Sequence, residues 1–191
     1  MDPDLVVRSP EQGYKALFHP AVMDQTVRAA ERRRHHRDAL LIPCSEQKPY
    51  PESRSHKHGY GPALEGKAVD VWVVSEPMGV IPYAWADEYP NNAYEFPPHL
   101  VRGRAREELL VRIYYWLREQ GQKYDRLFLA LPEHHYRMVS DASALGPGSL
   151  DLDIRDLSIR ACRASGACPP TDFRATSKAY RTFLRRRLPS S

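Results

Sequence analysis

The sequence predicts an α/β protein: a single domain over residues 1–191 with a three-layer, mostly parallel central sheet flanked by helices. Two observations carry this. Three short apolar runs, Ala39 to Ile42, Val69 to Val74 and Leu127 to Leu131, each end at a turn signal, as strands buried on both faces do. Segments of helical period lie between and around them, and strand–helix–strand alternation favours parallel pairing with right-handed crossovers. A chain of 191 residues supports one sizeable core and is too short for two ordinary domains and a linker.

In chain order, Ser9-Pro10-Glu11-Gln12 has the form of a helix start, with Ser9 as N-cap, proline in the first turn and Gln12 reaching back. Pro20 opens a second helix. It ends in the basic run Arg32-Arg33-Arg34-His35-His36-Arg37, so the N-terminal helices occupy 9–37. A core spans 38–145. In it, the run Ala39 to Ile42 ends at Pro43, which places Cys44 where a strand hands over to a loop, the edge at which open α/β sheets collect ligands. Val69 to Val74 ends likewise at Ser75-Glu76-Pro77-Met78-Gly79, facing the same crevice. Pro82 is expected to start a short helix through Glu88, with Tyr83 and Trp85 available to cover a planar base. Arg104 to Gln120 reads as a scaffold helix with a Glu108–Arg112 pair, stopped by Gly121. The Leu127–Leu131 strand is followed by a loop carrying Glu133, His134 and His135. Gly146 to Ser149 reads as a loop, Leu150 to Ala164 as an edge strand or an amphipathic helix, and a basic helix capped by Thr176 covers 176–188.

The net charge of +4 and a pI near 9.0 favour polyanions only mildly. Three cysteines, no signal peptide and no stretch long enough for a bilayer point to a reducing, cytoplasmic location and no membrane partner. Cys162 and Cys168 lack zinc-knuckle spacing and are expected as loop thiols or an occasional disulfide, so neither a metal nor a cofactor is implied.

The chemistry gathers in Pro43-Cys44-Ser45-Glu46-Gln47-Lys48-Pro49-Tyr50 and on through Ser53, Ser55 and His56. By residue type alone, a lone cysteine after a buried strand is more often a small hydrophobe than a nucleophile. The order of residues, however, closely resembles the catalytic core of archaeosine synthase and tRNA-guanine-transglycosylase-like proteins of 7-deazaguanine metabolism. A second block, Ser75 to Pro82 and Tyr89-Pro90 with Tyr94-Glu95, follows in the same order, so the resemblance covers about residues 38 to 98 and weakens through Pro132 to His135. Pro51, Glu52, Tyr83 and Ala84 depart from the family pattern. The resemblance implies an enzyme of 7-deazaguanine modification that adds an amine or water to the nitrile of a 7-cyano-7-deazaguanine base, in tRNA, in DNA or free. A partner protein would supply the RNA-binding module of the larger family members.

On that reading Cys44 forms a thioimidate, Lys48, His56 or a helix N-terminus favours the thiolate, and His56, His134 or His135 protonates the developing nitrogen. Ser45, Tyr50, Ser53, Ser55, Ser75, Gly79 and Tyr83 would line the base, with Glu76 reading a guanine-like edge. Arg33, Arg34, Arg181, Arg185 and Arg186 are the candidates for a nucleic-acid backbone, the first two as a patch beside the Cys44 loop. Two other classes stay open: a non-catalytic nucleic-acid-binding module that recognises a modified base, and an enzyme of a free deazapurine or small nitrile in metabolite biosynthesis.

Overall fold

The computed structural model describes residues 1–146, 148, 150–169 and 173–190. Five strands, β1 (Asp38–Pro43), β2 (Val69–Ser75), β3 (Gly79–Pro82), β4 (Arg126–Leu129) and β5 (Ile154–Asp156), form one sheet in the order β3-β2-β1-β4-β5. β1 pairs in parallel with β2 and β4, and β4 with β5, while β3 returns antiparallel along β2. Every residue of β1 is buried, so this central strand is covered on both faces and, after Asp38, reads as an unbroken apolar run. Burying a side chain such as Leu40 or Ile42 contributes roughly 1.5–3 kcal/mol.

Among the described residues, seven α-helices flank the sheet: α1 (Pro10–Leu17), α2 (Pro20–Glu31), α3 (Gly61–Leu64), α4 (Arg104–Glu119), α5 (Glu133–Ser143), α6 (Ile159–Ala164) and α7 (Phe173–Arg187). α1, α2 and α4 pack on one another and α5 packs on α4, with α2 and α4 also against β3; α3 and α6 pack on α7. Ser9 caps α1 by accepting the Gln12 N–H, and the Gln12 side chain accepts the Arg8 N–H in return. Trp116 of α4 meets Trp72 of β2 edge to face, with ring centres 4.9 Å apart. The Trp72 indole donates to the Tyr124 hydroxyl, which donates to Asp70. These bonds tie the scaffold helix to the strand whose end carries Glu76.

The structure refines or corrects the sequence expectation at several places. Ser75 to Pro82 is a hairpin rather than a loop leading to a helix, because Gly79 takes φ 87° and lets β3 fold back on β2. The expected helix from Pro82 to Glu88 contracts to a single 3₁₀ turn at Tyr83–Trp85. Glu133, His134 and His135 form the first turn of α5, with Pro132 as the residue before it, so the two imidazoles are held on a helix instead of a free loop. Thr176 is not a cap, since α7 already begins at Phe173. Cys162 lies on α6 and is joined to Cys168 in a disulfide with Cα atoms 5.4 Å apart. Leu150 to Ala164, read as strand or helix, supplies both β5 and α6. The loop expected at Gly146 to Ser149 falls partly outside the described residues.

Gly79 generates a stability prediction. A Cβ there would sit 3.1 Å from the Arg112 Cβ on α4, and the backbone would be left in a region that L side chains avoid. Gly79→Ala should therefore lower unfolding stability by roughly 1–3 kcal/mol in urea titration, whereas Gly148→Ala, with open space around it, should change it little.

Candidate active site

Cys44, Glu76 and His135 meet at the carboxyl edge of the sheet. β1 and β2 run side by side and end together, Pro43 opposite Val74, so the residues that follow each strand are neighbours. The Cys44 N–H also donates to the Val74 carbonyl at 3.0 Å. α5 brings its first turn to the same place from the end of β4. The Cys44 thiol donates to Glu76 Oε2 at 3.4 Å, and its sulfur is 3.9 Å from His135 Nε2. His135 Nε2 lies 3.2 Å from Glu76 Oε1 and 3.3 Å from Oε2, and His134 Nε2 is 3.1 Å from Oε1.

Glu76 is 1% exposed, and a carboxylate so placed needs partners. Burial alone would raise its pKa. The neighbouring His135 and His134 outweigh that and hold it well below the usual carboxylate range. The reciprocal effect falls on His135: burial works against its charge, but Glu76 and the thiol together raise the imidazole to about 10. At neutral pH the pair is therefore a carboxylate and an imidazolium, with the Cys44 sulfur beside both. Cys44 is half-buried and His134 is 40% exposed on its side chain, so the cluster opens to solvent on that side.

Lys48 bends over this group. Its ammonium donates to the Ser45 carbonyl and lies 4.8 Å and 4.2 Å from the ring centres of Tyr50 and Tyr94. Burial lowers its pKa, opposed by the nearby Cys44 and Glu76. Beneath it, the Tyr50 hydroxyl is 3.0 Å from Ser75 Oγ, and Ser75 Oγ is 2.6 Å from the Tyr94 hydroxyl. Burial raises both phenols well above their usual range, so they stay protonated and act as a fixed polar floor.

Of the residues predicted for the site, the structure brings Cys44, Lys48, Glu76, His134 and His135 together. Others are displaced from their expected parts. Glu76 does not offer a free edge to a base, because both its oxygens are engaged. Tyr50 and Ser75 are fully buried and spend their hydroxyls on one another and on Tyr94. Gly79 shapes the hairpin and packs on α4 rather than lining a site. His56 is fully buried, stacked between Tyr50 and Tyr83 at interplanar angles of 28° and 18°, and pushed down to about 4 by burial, with the Pro43 carbonyl only partly opposing. It is neutral at pH 7 and so is no proton donor there. Tyr83 gives a face to His56, and Trp85 gives one to Arg28 and Arg32 at 4.8 and 5.4 Å. Ser45 Oγ closes a turn on the Gln47 carbonyl, and Ser53 Oγ accepts the His56 N–H and touches Ser55 Oγ.

Arg33 and Arg34 are not beside the Cys44 loop. They precede β1 and Cys44 follows it, and six strand residues separate its two ends by about 20 Å. Tyr94 is the site residue that the pattern of candidates missed. Its signal was its place in the second ordered block, where it could be matched to a family but not to a partner. The three atoms Cys44 Sγ, a Glu76 oxygen and a His135 nitrogen lie within 4.8 Å of one another, a set that could also hold a metal ion, which the spacing of the cysteines does not predict.

Fold and site thus define an open α/β protein with a cysteine–carboxylate–histidine cluster at the carboxyl edge of its parallel strands. A family model described as "Domain of unknown function (DUF5591)" matches residues 23–153, and the chain belongs to that family. Archaeosine synthase of Haloferax volcanii is 31% identical over 125 residues, covering 64% of this chain and 20% of that protein. Archaeosine synthase subunit alpha of Thermoplasma acidophilum is 36% identical over 61 residues, 31% of this chain and 12% of that protein. The relationship is archaeosine-synthase-like, and the chain spans a fifth or less of the length of these relatives. The crystal structure of AF0587, a protein of unknown function, superposes with a TM-score of 0.55 at 14% identity, covering 87% of this chain and 50% of that one, a likeness of fold. Among the described residues no helix is long and apolar enough to cross a membrane.

Two measurements check the electrostatics. Glu76→Gln leaves the buried His135 without its counter-charge, so stability should fall by roughly 3–5 kcal/mol, and the His135 midpoint, followed by NMR, should drop from about 10 to below its ordinary 6.5. His56 has the opposite sign. Unfolded, it takes a proton near 6.5; folded, only near 4. Between those values the unfolded chain binds more protons, so stability present above pH 6.5 is lost as pH falls toward 4, at up to about 1.4 kcal/mol per pH unit. His56→Phe, which keeps a ring in the stack, should flatten the melting temperature across that window.

Proposed function

We propose that this chain is an enzyme of 7-deazaguanine modification that acts on the nitrile of a 7-cyano-7-deazaguanine base, with Cys44 as nucleophile. One observation supports it most: the Cys44 sulfur is 3.4 Å from a buried carboxylate and 3.9 Å from an imidazolium that shares that carboxylate. A nitrile carbon needs a soft nucleophile on carbon and a proton on nitrogen, and this cluster holds both functions in one place.

The step balances within the cluster. Sulfur adds to the nitrile carbon as the thiol proton passes to Glu76, and one π bond of the nitrile breaks. The electron pair released onto nitrogen takes the proton of His135, giving a neutral thioimidate. The proton left on Glu76 returns to His135, restoring the ion pair. An amine then adds to the same carbon and the C–S bond breaks, with sulfur recovering a proton from the amine through His135, so that the product is an amidine and the enzyme is unchanged. Water in place of the amine gives an amide. Lys48, held beside Cys44 and Glu76, stabilises negative charge while it builds. His134, on the exposed side, would meet the incoming base.

The similarity to archaeosine synthases supports the substrate class, and the reading extends to the base either free or in a nucleic acid, in the cytoplasm. The test is mass spectrometry of the intact chain incubated with 7-cyano-7-deazaguanine. Wild type should gain the mass of one base, reversed by thiol or amine, and Cys44→Ala should gain none and lose all turnover. Chelation with EDTA should leave the adduct unaltered, because the sulfur acts free of any metal. Full turnover by Cys44→Ala overturns the covalent scheme, and wild type without turnover or adduct leaves a binding module.

A further inference from the structure

Behind the loop that carries Cys44 lies a cleft of about 680 Å³, on the far side of the His56–Tyr60 turn, closed by α6 and α7. Its cations come from three separate elements: Arg54 from the loop before the π-helical turn, Arg163 from α6, and Lys178 and Arg181 from α7. Among the described residues that line it there is no carboxylate. Tyr60 and Tyr180 meet at its base edge to face, with ring centres 6.2 Å apart. Their hydroxyls donate to the carbonyls of Ala130 and Leu157, just past the ends of β4 and β5. The cleft therefore opens at the same carboxyl edge as the Cys44 cluster, and α5, which supplies His134 and His135, begins three residues after Ala130.

The orientation of α7 sorts its arginines. Tyr180, at its middle, sits at the carboxyl edge. At its other end the carbonyls of Arg185 and Leu188 take the ammonium of Lys67, which lies just before β2 at the amino edge. Arg181 thus faces the cleft, while Arg185 and Arg186 belong to the opposite edge with Arg33 and Arg34. A charge count along the sequence treats these residues alike. Among the described residues, α7 gives the stretch from Ser177 to Arg181 to the cleft.

We propose that this cleft binds the phosphate backbone of the nucleic acid whose base is delivered to Cys44. Positive charges from a loop and two helices, converging on a groove whose described lining holds no carboxylate and floored by two tyrosine rings, match a strand that presents phosphates and unstacked bases. Part of the wall, Arg54 and Ser55, belongs to the segment that continues from Cys44. The inference rests on the reading of the chain as an enzyme of a base in nucleic acid, and its test separates the two.

Anisotropy of a fluorescein-labelled tRNA and of a labelled single-stranded DNA, titrated with the full chain, reads the cleft directly. Lys178→Glu with Arg181→Glu should weaken binding at least tenfold and flatten the salt dependence by about two units of log–log slope. The exposed pair Arg163→Ala and Lys178→Ala should give a smaller loss in the same direction. Both should still form the adduct with free 7-cyano-7-deazaguanine, which shows that they fold. Arg33→Glu with Arg34→Glu, at the opposite edge, should do much less. Binding that survives charge reversal in the cleft, or that falls equally for the Arg33/Arg34 pair, overturns the proposal. Cys44→Ala should bind nucleic acid as wild type does, and wild type that binds nucleic acid through the cleft but forms no adduct rejects the chemistry and leaves the cleft standing.

Discussion

A carboxylate with almost no exposure to water is the constraint that shapes this molecule. Glu76 sits at the end of β2, and an isolated charge there would be lost by protonation or would unfold its surroundings. It stays charged because His135 and His134 reach it from a helix whose sequence position is remote, and because Cys44 donates to it from the neighbouring strand. Those contacts require β1, β2 and β4 to end at one level. Parallel pairing on both sides of a wholly buried central strand supplies that alignment. The hairpin at Gly79 and the tie from Trp72 to Trp116 then hold β2 against the scaffold helix, so Glu76 cannot retreat from its partners.

The motif around Cys44 divides into layers with different physical duties. Cys44 and Lys48 face the charged cluster. Tyr50 lies below them in a hydroxyl network with Ser75 and Tyr94, and His56 is a neutral ring in an aromatic stack, turning the chain away from the site. Arg54, Ser55 and His58 look outward to the basic cleft. A short run of sequence thus separates reacting groups, a rigid floor and an outer wall. That division explains why many of its polar residues, each of a type suited to catalysis, make bonds that no substrate need share.

Fold and chemistry were legible to different extents. Ala39 to Ile42, Val69 to Val74 and Leu127 to Leu131 announced buried parallel strands because a strand covered on both faces must be apolar throughout. Local rules also reached the Ser9 cap and the Glu108–Arg112 pair, whose partners lie within four residues. They failed where one backbone angle decides the outcome. A glycine that folds β3 back on β2 converts an expected functional loop into a hairpin, and nothing nearby marks that choice.

Sequence by itself determined the class of fold, the edge at which Cys44 emerges and the set of chemical groups available there, since each depends on polarity and spacing along the chain. Only tertiary structure decided which groups act together. Glu76 is paired rather than free, His56 is neutral rather than acidic, and Arg33 and Arg181 stand at opposite edges of the sheet. Charge state and proximity depend on burial and on distance through space, and neither quantity exists until strands distant in sequence have been aligned.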